Sequence, residues 1–353
     1  MNKTFKLISI SLILLTYCCV YLNDSFNNRM DQFITNYVDY NMFSGHVLVA
    51  KDGKIIFNKS YGYENFGNNK TIEQDTRVCI GSVSKQFAAM SIMILQDRGL
   101  LDIDNKISEY LTDYQLGNKM TVRQLLTHTS GITRDISNIA AGFDEMGVFK
   151  EKEEIYRIIT SAPLDNNPGT VFSYSNAGYF LLGLIVEEVS GLEYGTFLKT
   201  NIFDPLGMNN SGFDINHVLP AHTFTTQGIV SDWDFHPSIT FAAGGVYSTA
   251  SDMYLWDRAL YTETLIPEES MNEVFDKTVK TSDNEWYGFG WTLSQRNING
   301  KNIDIISHYG QTRATTSIIS RYPDYDAVII VTANIGNASV NSIVSYAEEE
   351  IIR

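Results

Sequence analysis

The stretch CIGSVSKQF, at residues 79–87, predicts the start of a buried helix around which the chain folds. From Ser82 to Arg98 the sequence contains no Gly or Pro, and alanine, methionine and isoleucine recur on nearly every side of the helical wheel. A helix that is apolar all round belongs in the interior of a protein. Gly99 follows as the residue best suited to end such a helix in the left-handed conformation.

Two reactive side chains stand at the beginning of this predicted helix. Ser82 and Lys85 are three residues apart, so they share one helix face about one turn apart. A serine hydroxyl becomes a good nucleophile when a neighbouring base takes its proton, and a lysine can do this once burial disfavours its charged form. The helix N-terminus adds N–H groups that suit a developing oxyanion. Ser-x-x-Lys alone is a weak signal, and the rest of the chain must support it.

The first 22 residues predict a signal peptide or an N-terminal anchor. Lys3 and Lys6 precede an apolar run from Leu7 to Leu22, which is short for a membrane span. No small-x-small cleavage site follows, so an uncleaved anchor and a lipidated cysteine at position 18 or 19 are both alternatives to cleavage. We therefore expect an exported, extracytoplasmic protein that is either membrane-anchored or secreted.

Charge and cysteine content restrict the partners and the redox chemistry. The chain has 26 basic and 41 acidic residues, for a formal net charge of −15. Such a balance argues against nucleic acid or an anionic membrane surface as a partner of the folded body. Beyond the leader Cys79 is the one cysteine, so no internal disulfide is expected, and a small buried residue is the favoured interpretation.

Strand patterns at both ends of the chain enclose a helical middle. Residues 45–50 and 54–61 flank an Asp52-Gly53 turn, which is a strong hairpin signal, after an amphipathic helix at 26–40. This order predicts one discontinuous α/β domain from residues 26–80 and 281–353, with a helical domain at 82–280 inserted into it. The segments that carry this prediction are helices at 82–98, 121–126, 150–160, 177–190 and 252–260, strands at 290–296, 303–307, 316–321 and 327–332, and a final helix to 352.

Two further motifs occur where a serine–lysine site needs them. Tyr174-Ser175-Asn176 directly precedes the apolar helix that begins at Ala177. His308-Tyr309-Gly310 ends a predicted strand of the other domain. A phenol, an amide and an imidazole would thus reach the same cleft as the hydroxyl and the amine.

The sequence resembles the serine β-lactamase and penicillin-binding protein superfamily, in particular its class C β-lactamase and D,D-peptidase-like branch. Ser-x-x-Lys, Tyr-x-Asn and Lys/His-x-Gly occur in that order, and the resemblance extends over nearly all of the chain beyond the leader. It implies an antiparallel sheet flanked by helices with an inserted all-helical domain, and no cofactor. Further stretches that carry it are LLTHTSG at 125–131, PGT at 168–170, FDPLGM at 203–208 and AGGVYS at 243–248.

The resemblance also implies a role for each motif residue. Ser82 is similar to the nucleophile that forms an acyl-enzyme, and Lys85 to its activating partner. Tyr174 matches the tyrosine that moves protons to the leaving group, and Asn176 the amide that orients the lysine and the substrate. His308 takes the place of the cation that faces the negative end of the substrate. The backbone N–H groups of Ser82 and Gln311 would form the oxyanion hole, and Tyr309 and Gly310 would contact the substrate.

This sequence departs from the class C pattern in its third motif. Histidine stands where those β-lactamases have lysine, and Tyr309 is bulky where a small residue is common. A histidine is only partly charged near neutral pH, so it is a weaker anchor for a carboxylate. The departure favours a peptidase or an esterase over an efficient β-lactamase. Which of Lys85 and Tyr174 is the acylation base stays open.

Other readings of the chain find less support. His128 and Ser130 suggest a Ser/His/Asp triad, but the Gly-x-Ser-x-Gly elbow of such enzymes is absent from the sequence. The histidines lack metal-ligand spacing, so no metal is expected. A class C β-lactamase is the nearest alternative function. A penicillin- or peptidoglycan-binding sensor without turnover is the alternative from another class. The substrate depends on loops at 135–149 and 224–240, whose sequence does not reveal it.

Overall fold

The structure is a computed structural model that describes residues 26–133, 149–214, 221–225, 228–232 and 236–352. The predicted leader at residues 1–22 lies outside the described residues, and so does most of the loop at 135–149. Within the described ranges, none of the helices combines the length and the apolar character that crossing a membrane requires.

The described residues form strands at both ends of the chain and most of the helices in between. The strands are β1 (Gly45–Lys51), β2 (Lys54–Tyr61), β3 (Tyr63–Asn65), β4 (Lys70–Thr71), β5 (Val78–Cys79), β6 (Ala221–Thr225), β7 (Gly228–Asp232), β8 (Tyr247–Ser248), β9 (Val279–Ser282), β10 (Glu285–Tyr287), β11 (Thr292–Ile298), β12 (Lys301–Gln311), β13 (Thr316–Tyr322) and β14 (Ala327–Ala333). The α-helices are α1 (26–39), α2 (Lys85–Asp97), α3 (Val122–Leu126), α4 (Lys152–Ser161), α5 (Asn176–Ser190), α6 (Tyr194–Leu198), α7 (Asp204–Leu206), α8 (Pro237–Thr240), α9 (Ala250–Ala259), α10 (Glu268–Val274) and α11 (Val340–Ile351).

An antiparallel sheet of eight strands joins the two ends of the chain. Its order is β2-β1-β14-β13-β12-β11-β10-β9, so the N-terminal hairpin adds to strands that come from the C-terminal part. Gly45 pairs with Ala333 and Lys51 with Ala327, which brings β1 alongside the whole of β14. The predicted antiparallel sheet flanked by helices is therefore confirmed. The division of the chain into two domains stays a prediction.

Both faces of the sheet are buried, because each carries its own hydrophobic core. Alternate residues of a strand point to opposite faces. Leu48 of β1 belongs to the core that contains α2 and α5, whereas its neighbours Val47 and Val49 belong to the core that contains α1 and α11. This explains why β14 is buried at each of its seven positions.

Helix α2 is as buried as its sequence predicts, but it begins at a later residue than expected. Residues 81–84 form a 3₁₀ turn, and the α-helix starts at Lys85 rather than at Ser82. The side chains from Lys85 to Leu95 are then buried without interruption. Hydrogen bonds from outside fix the first turn, since Ser317 Oγ donates to the carbonyl of Ile80 at 2.6 Å and the Val246 N–H donates to Ser84 Oγ at 3.0 Å.

Local sequence signals predict most of the boundaries of helices and strands, but they do not predict the shortest strands. Thr121 and Gln124 form a reciprocal capping box at α3, as expected of a short capped helix. Gly191 ends α5 in the left-handed conformation. The sequence did not predict β9 and β10, which extend the sheet by two strands, nor the β6–β7 pair within the middle region. Strands of three to five residues are too short for a periodic pattern to show.

Gly310 allows β12 to approach the segment that carries Ser82. A Cβ built on Gly310 would lie 2.1 Å from the Ile80 carbonyl oxygen and 2.4 Å from Ser317 Oγ. Real Cβ atoms do not make contacts this short. Any other residue at position 310 would therefore push β12 away from the 3₁₀ turn that contains Ser82. Gly310 thus contributes to the site through its lack of a side chain.

We predict that Gly310→Ala lowers the free energy of unfolding by about 2–4 kcal/mol, because the added methyl group must displace backbone. Gly67→Ala is the matched control, since Gly67 is exposed and its built Cβ meets only a side-chain oxygen at 3.2 Å. Its effect should stay within about 0.5 kcal/mol. Denaturant unfolding of both variants measures the difference. Equal stability of Gly310→Ala and the wild type would contradict the proposed close approach.

Candidate active site

The amine of Lys85 connects the predicted catalytic residues. Its side chain is completely buried, and its Nζ lies 3.1 Å from Ser82 Oγ, 2.7 Å from Asn176 Oδ1 and 2.8 Å from the Ala243 carbonyl oxygen. These atoms come from the 3₁₀ turn before α2, the start of α5 and the turn before β8. The structure therefore brings Ser82, Lys85 and Asn176 together as the sequence predicts.

This geometry fits both protonation states of Lys85. The Asn176 and Ala243 oxygens can only accept, so they take two N–H bonds of the amine in either state. The third position faces Ser82 Oγ. An ammonium donates its third N–H there, whereas a neutral amine turns its lone pair to the hydroxyl and accepts the Ser82 proton. These three contacts position the Lys85 amine so that, in its neutral form, it can act as a base toward Ser82.

The start of α5 holds Asn176 in place. Ser175 is the N-cap of α5, and its Oγ accepts from the Gly178 N–H at 2.9 Å while donating to the Thr133 carbonyl at 2.8 Å. The Ser175 N–H in turn donates to His128 Nδ1 at 3.0 Å. Asn176 is the first residue of α5, and the preceding cap residue Ser175 is held by hydrogen bonds of both its side chain and its backbone N–H. The Asn176 amide therefore has little freedom to turn away from Lys85.

Aromatic rings enclose the amine on its other side. Lys85 Nζ lies 4.8 Å from the ring centroid of Tyr174 and 5.5 Å from that of Tyr179. The imidazole of His128 packs against Tyr174 at 4.2 Å between centroids and against Tyr287 at 4.7 Å. His128 is thus a structural support of the Tyr174 segment, which agrees with the sequence interpretation and not with a triad histidine.

His308 is neutral, which corrects the partly charged histidine that the sequence suggested. Burial, with the nearby charge of Lys85, lowers its pKa to about 3. Its Nδ1 lies 2.9 Å from the Tyr309 carbonyl oxygen, which can only accept, so Nδ1 carries the proton. Nε2 then accepts from the Tyr287 hydroxyl at 3.0 Å. Both ring nitrogens are engaged, and His308 cannot attract a carboxylate as a cation would.

An open cleft of about 650 Å³ leads to Ser82. Of the predicted residues, those that line it are Ser82, Tyr174, Asn176, His308, Tyr309 and Gln311. Lys85 lies buried behind Ser82, and Gly310 packs against Ile80 rather than lining the cleft. Six further lining residues were not identified from the sequence. They are Phe172, Thr281, Glu285, Thr292, Thr312 and Arg313. Two of them, Thr281 and Glu285, belong to β9 and β10, which are too short for the sequence pattern to reveal.

Gln311 lies beside the 3₁₀ turn that contains Ser82. A Cβ built on Gly81 would lie 3.0 Å from the Gln311 amide nitrogen, so the backbone of β12 approaches the residue before Ser82. The backbone of Gln311 thus lies close to the residue that precedes Ser82, which is compatible with an oxyanion hole formed by the N–H groups of Ser82 and Gln311. The Gln311 side chain donates to Asn337 Oδ1, away from the nucleophile. The assignment of the oxyanion hole stays a prediction.

The described residues show no metal-binding cluster. Across the described ranges, no group of three or more His, Cys, Asp or Glu side chains is placed to hold a metal ion. Cys79 is half-buried rather than fully buried as the sequence suggested, and its thiol donates to the Gly244 carbonyl at 3.4 Å.

Comparison with known proteins relates nearly the whole chain to one family. The family model described as Beta-lactamase matches residues 30–344. Penicillin-binding protein 4* of Bacillus subtilis (strain 168) is 29% identical over 318 residues, which cover 83% of this chain and 68% of that protein. The chain spans about two thirds of the length of the curated relatives it matches.

Solved structures share the fold. A penicillin-binding protein from Bacillus halodurans superposes with a TM-score of 0.80 at 27% identity, covering 89% of this chain and 98% of that one. The D-amino acid amidase from Ochrobactrum anthropi SV3, complexed with L-phenylalanine, gives a TM-score of 0.79 at 22% identity and covers 92% of this chain and 99% of its own. At that identity the second likeness concerns the fold alone.

The neutral state of His308 predicts a pH dependence of stability. Between the unfolded pKa of 6.5 and the folded pKa of about 3, the unfolded chain binds a proton here and the folded chain does not. Stability is therefore lost as the pH falls through this window. His308→Gln removes this contribution, so its loss of unfolding free energy between pH 7.5 and pH 5 should be about 2 kcal/mol smaller than in the wild type. Denaturant titrations at the two pH values measure it, and parallel losses would show a charged His308.

Proposed function

The chain belongs to the Beta-lactamase family of serine hydrolases, and on this basis we propose that Ser82 attacks an amide or ester carbonyl to form an acyl-enzyme that water then hydrolyses. The observation that carries the proposal is the position of the Lys85 amine, within 3.1 Å of Ser82 Oγ and buried behind an open cleft. A buried amine held by two fixed acceptors supports proton removal from the nucleophile.

Each step has a residue placed for it. In acylation, Lys85 or Tyr174 takes the Ser82 proton while the bond from Oγ to the carbonyl carbon forms. The N–H groups of Ser82 and Gln311 would stabilise the oxyanion, each contributing a factor of roughly 10²–10³. Tyr174, whose ring packs beside Lys85, would pass the proton to the leaving group as the bond from that group to the carbonyl carbon breaks. A water molecule then gives a proton to the same base as it attacks the acyl carbon, and this proton passes to Ser82 Oγ as the bond between Oγ and the acyl carbon breaks.

We propose a D-amino-acyl peptide or a small ester as the substrate, as in a D,D-carboxypeptidase or an esterase. The neutral, doubly hydrogen-bonded His308 supports the ester in particular, because it offers no fixed positive charge for the carboxylate that a β-lactam and a carboxypeptidase substrate both carry. β-Lactam hydrolysis is the second candidate, supported by family membership. Retention of Ser82, Lys85, Tyr174 and Asn176 in one cluster argues against a sensor that has lost its chemistry.

Variants of the cluster test the mechanism. Ser82→Ala should abolish both turnover and labelling by a fluorophosphonate, whereas Ser345→Ala, which alters an exposed serine of α11, should leave both unchanged. Lys85→Ala and Tyr174→Phe should each lower kcat by roughly 10²–10⁴, as loss of a general base or acid does. Because the groups act as one unit, the double variant should cost little more than either single change.

Mass spectrometry after reaction with a slow substrate gives the sharpest test. The added acyl mass should map to the peptide that contains Ser82 and disappear with time as the acyl-enzyme is hydrolysed. An adduct on another residue would disprove the mechanism. Stable labelling of Ser82 without turnover of a D-amino-acyl peptide, a short-chain ester or a cephalosporin would favour the sensor instead.

We further propose that the protein is exported and works outside the cytoplasm, with any membrane attachment made by its N-terminal segment. Lys3, Lys6 and the apolar run to Leu22 support this. Cell fractionation with an antibody to the folded body should find the protein in the membrane or in the extracytoplasmic fraction. Full-length protein free in the cytosol would rule export out.

A further inference from the structure

A second cavity lies apart from the catalytic cleft, between the α9–α10 region and the sheet. It has a volume of about 300 Å³, and its apolar walls come from Leu260, Met271, Phe275, Ile306 and Pro323. Of the described residues, none lines both this cavity and the cleft that leads to Ser82. Arg321, which also lines the cavity, stands on β13 four residues after Ser317, whose hydroxyl binds the Ile80 carbonyl. The cavity therefore lies about 13 Å further along the strand than the turn that contains Ser82.

Arg321 brings a guanidinium with unused hydrogen-bond donors to this cavity. Its side chain is only 2% exposed, and its Cζ lies 4.6 Å from the ring centroid of Tyr261 and 5.2 Å from that of Phe275, both of which line the cavity. Its Nε donates to Asp257 Oδ1 at 2.7 Å. Within the described ranges, neither Nη atom of Arg321 donates a hydrogen bond. Four N–H donors of a buried cation are thus available to a ligand.

The neighbouring carboxylates are engaged elsewhere. Asp257 is fully buried, and its Oδ2 accepts from Nε and Nη2 of Arg258 at 2.9 and 2.6 Å. Asp326 accepts from Arg258 Nη1 at 2.6 Å. Glu263 and Glu268 line the cavity but are exposed, and Glu263 Oε1 accepts the Glu268 N–H at 3.1 Å. Water and salt screen these two exposed charges, so they oppose a single negative charge on a ligand only weakly.

We propose that this cavity binds a monocarboxylate with a small apolar body. The two Nη atoms of Arg321 form a planar fork that matches the two oxygens of a carboxylate, and such charge-assisted pairs are stronger than bonds to a neutral acceptor. The apolar walls would bury the rest of the ligand. Glu263 and Glu268 disfavour a second negative charge, so a dianion fits less well. The volume lies at the lower end of the range for small-molecule sites.

A matched pair of probes tests this assignment. 3-Phenylpropionate carries the carboxylate, and 3-phenylpropionamide has a neutral amide in its place. In protein with ¹³C-labelled methionine methyl groups, the acid should shift the Met271 resonance saturably, because Met271 lines the cavity. Met271→Leu, a volume-conserving change, assigns that resonance. Met30, in the core on the other face of the sheet, should not shift. The amide should bind roughly tenfold more weakly, because its hydrogen bond lacks a second charge.

Arg321→Lys tests the guanidinium fork directly. The variant keeps the positive charge beside Asp257 but loses the paired donors, so its affinity for the acid should fall roughly tenfold. Arg157→Lys is the matched control, because it makes the same change at an exposed position of α4. Its affinity for the acid should equal that of the wild type. Thermal unfolding shows whether Arg321→Lys is folded, and the wild-type titration decides the question if it is not.

Four results would overturn the proposal. The first is failure of the acid to shift Met271, and the second is equal affinity for the acid and the amide. The third is an unchanged affinity of Arg321→Lys for the acid. The fourth is loss of acid binding once a fluorophosphonate occupies Ser82, since the acid would then bind in the catalytic cleft. None of these measurements uses turnover, so this site and the proposed function at Ser82 can fail independently.

Discussion

The burial of the Lys85 amine is the constraint on which the site depends. An amine removed from water must find hydrogen-bond acceptors, because an unsatisfied one costs several kcal/mol. Lys85 finds them on Ser82, Asn176 and the Ala243 carbonyl, which belong to three separate segments. Those segments must dock against one another before the amine is satisfied. The same requirement that stabilises the buried lysine therefore aligns the nucleophile with its base.

Two sides of the cleft have different characters, and each follows from its secondary structure. A turn and a helix start contribute the polar groups at the base, since Ser82 lies in the 3₁₀ turn before α2 and Asn176 is the first residue of α5. The sheet contributes an aromatic and imidazole wall through Tyr287 and His308. Because this wall keeps its histidine neutral, fewer charged groups determine the electrostatic potential of the cleft than the sequence suggested.

The sequence predicts this site to the extent that its signals are local. The apolar run from Ser82 and the cap at Thr121 have their physical cause within a few residues, and their structures follow the prediction. The neutral state of His308 depends on burial and on the nearby charge of Lys85, which the fold brings together from distant parts of the chain, so residue type alone could not give it. The steric role of Gly310 likewise depends on Ile80, far away in the chain.

The pairing of β1 with β14 has a consequence for how the chain reaches its native state. These two strands lie near opposite ends of the sequence, so they cannot pair until almost the entire polypeptide is present. Contacts of such high sequence separation require a large loop to close first, which makes folding slow relative to proteins with local contacts. A nascent or translocating chain would hold Ser82 and Lys85 on a helix without its sheet. Catalytic competence would then appear late and all at once, after the C-terminal strands have docked.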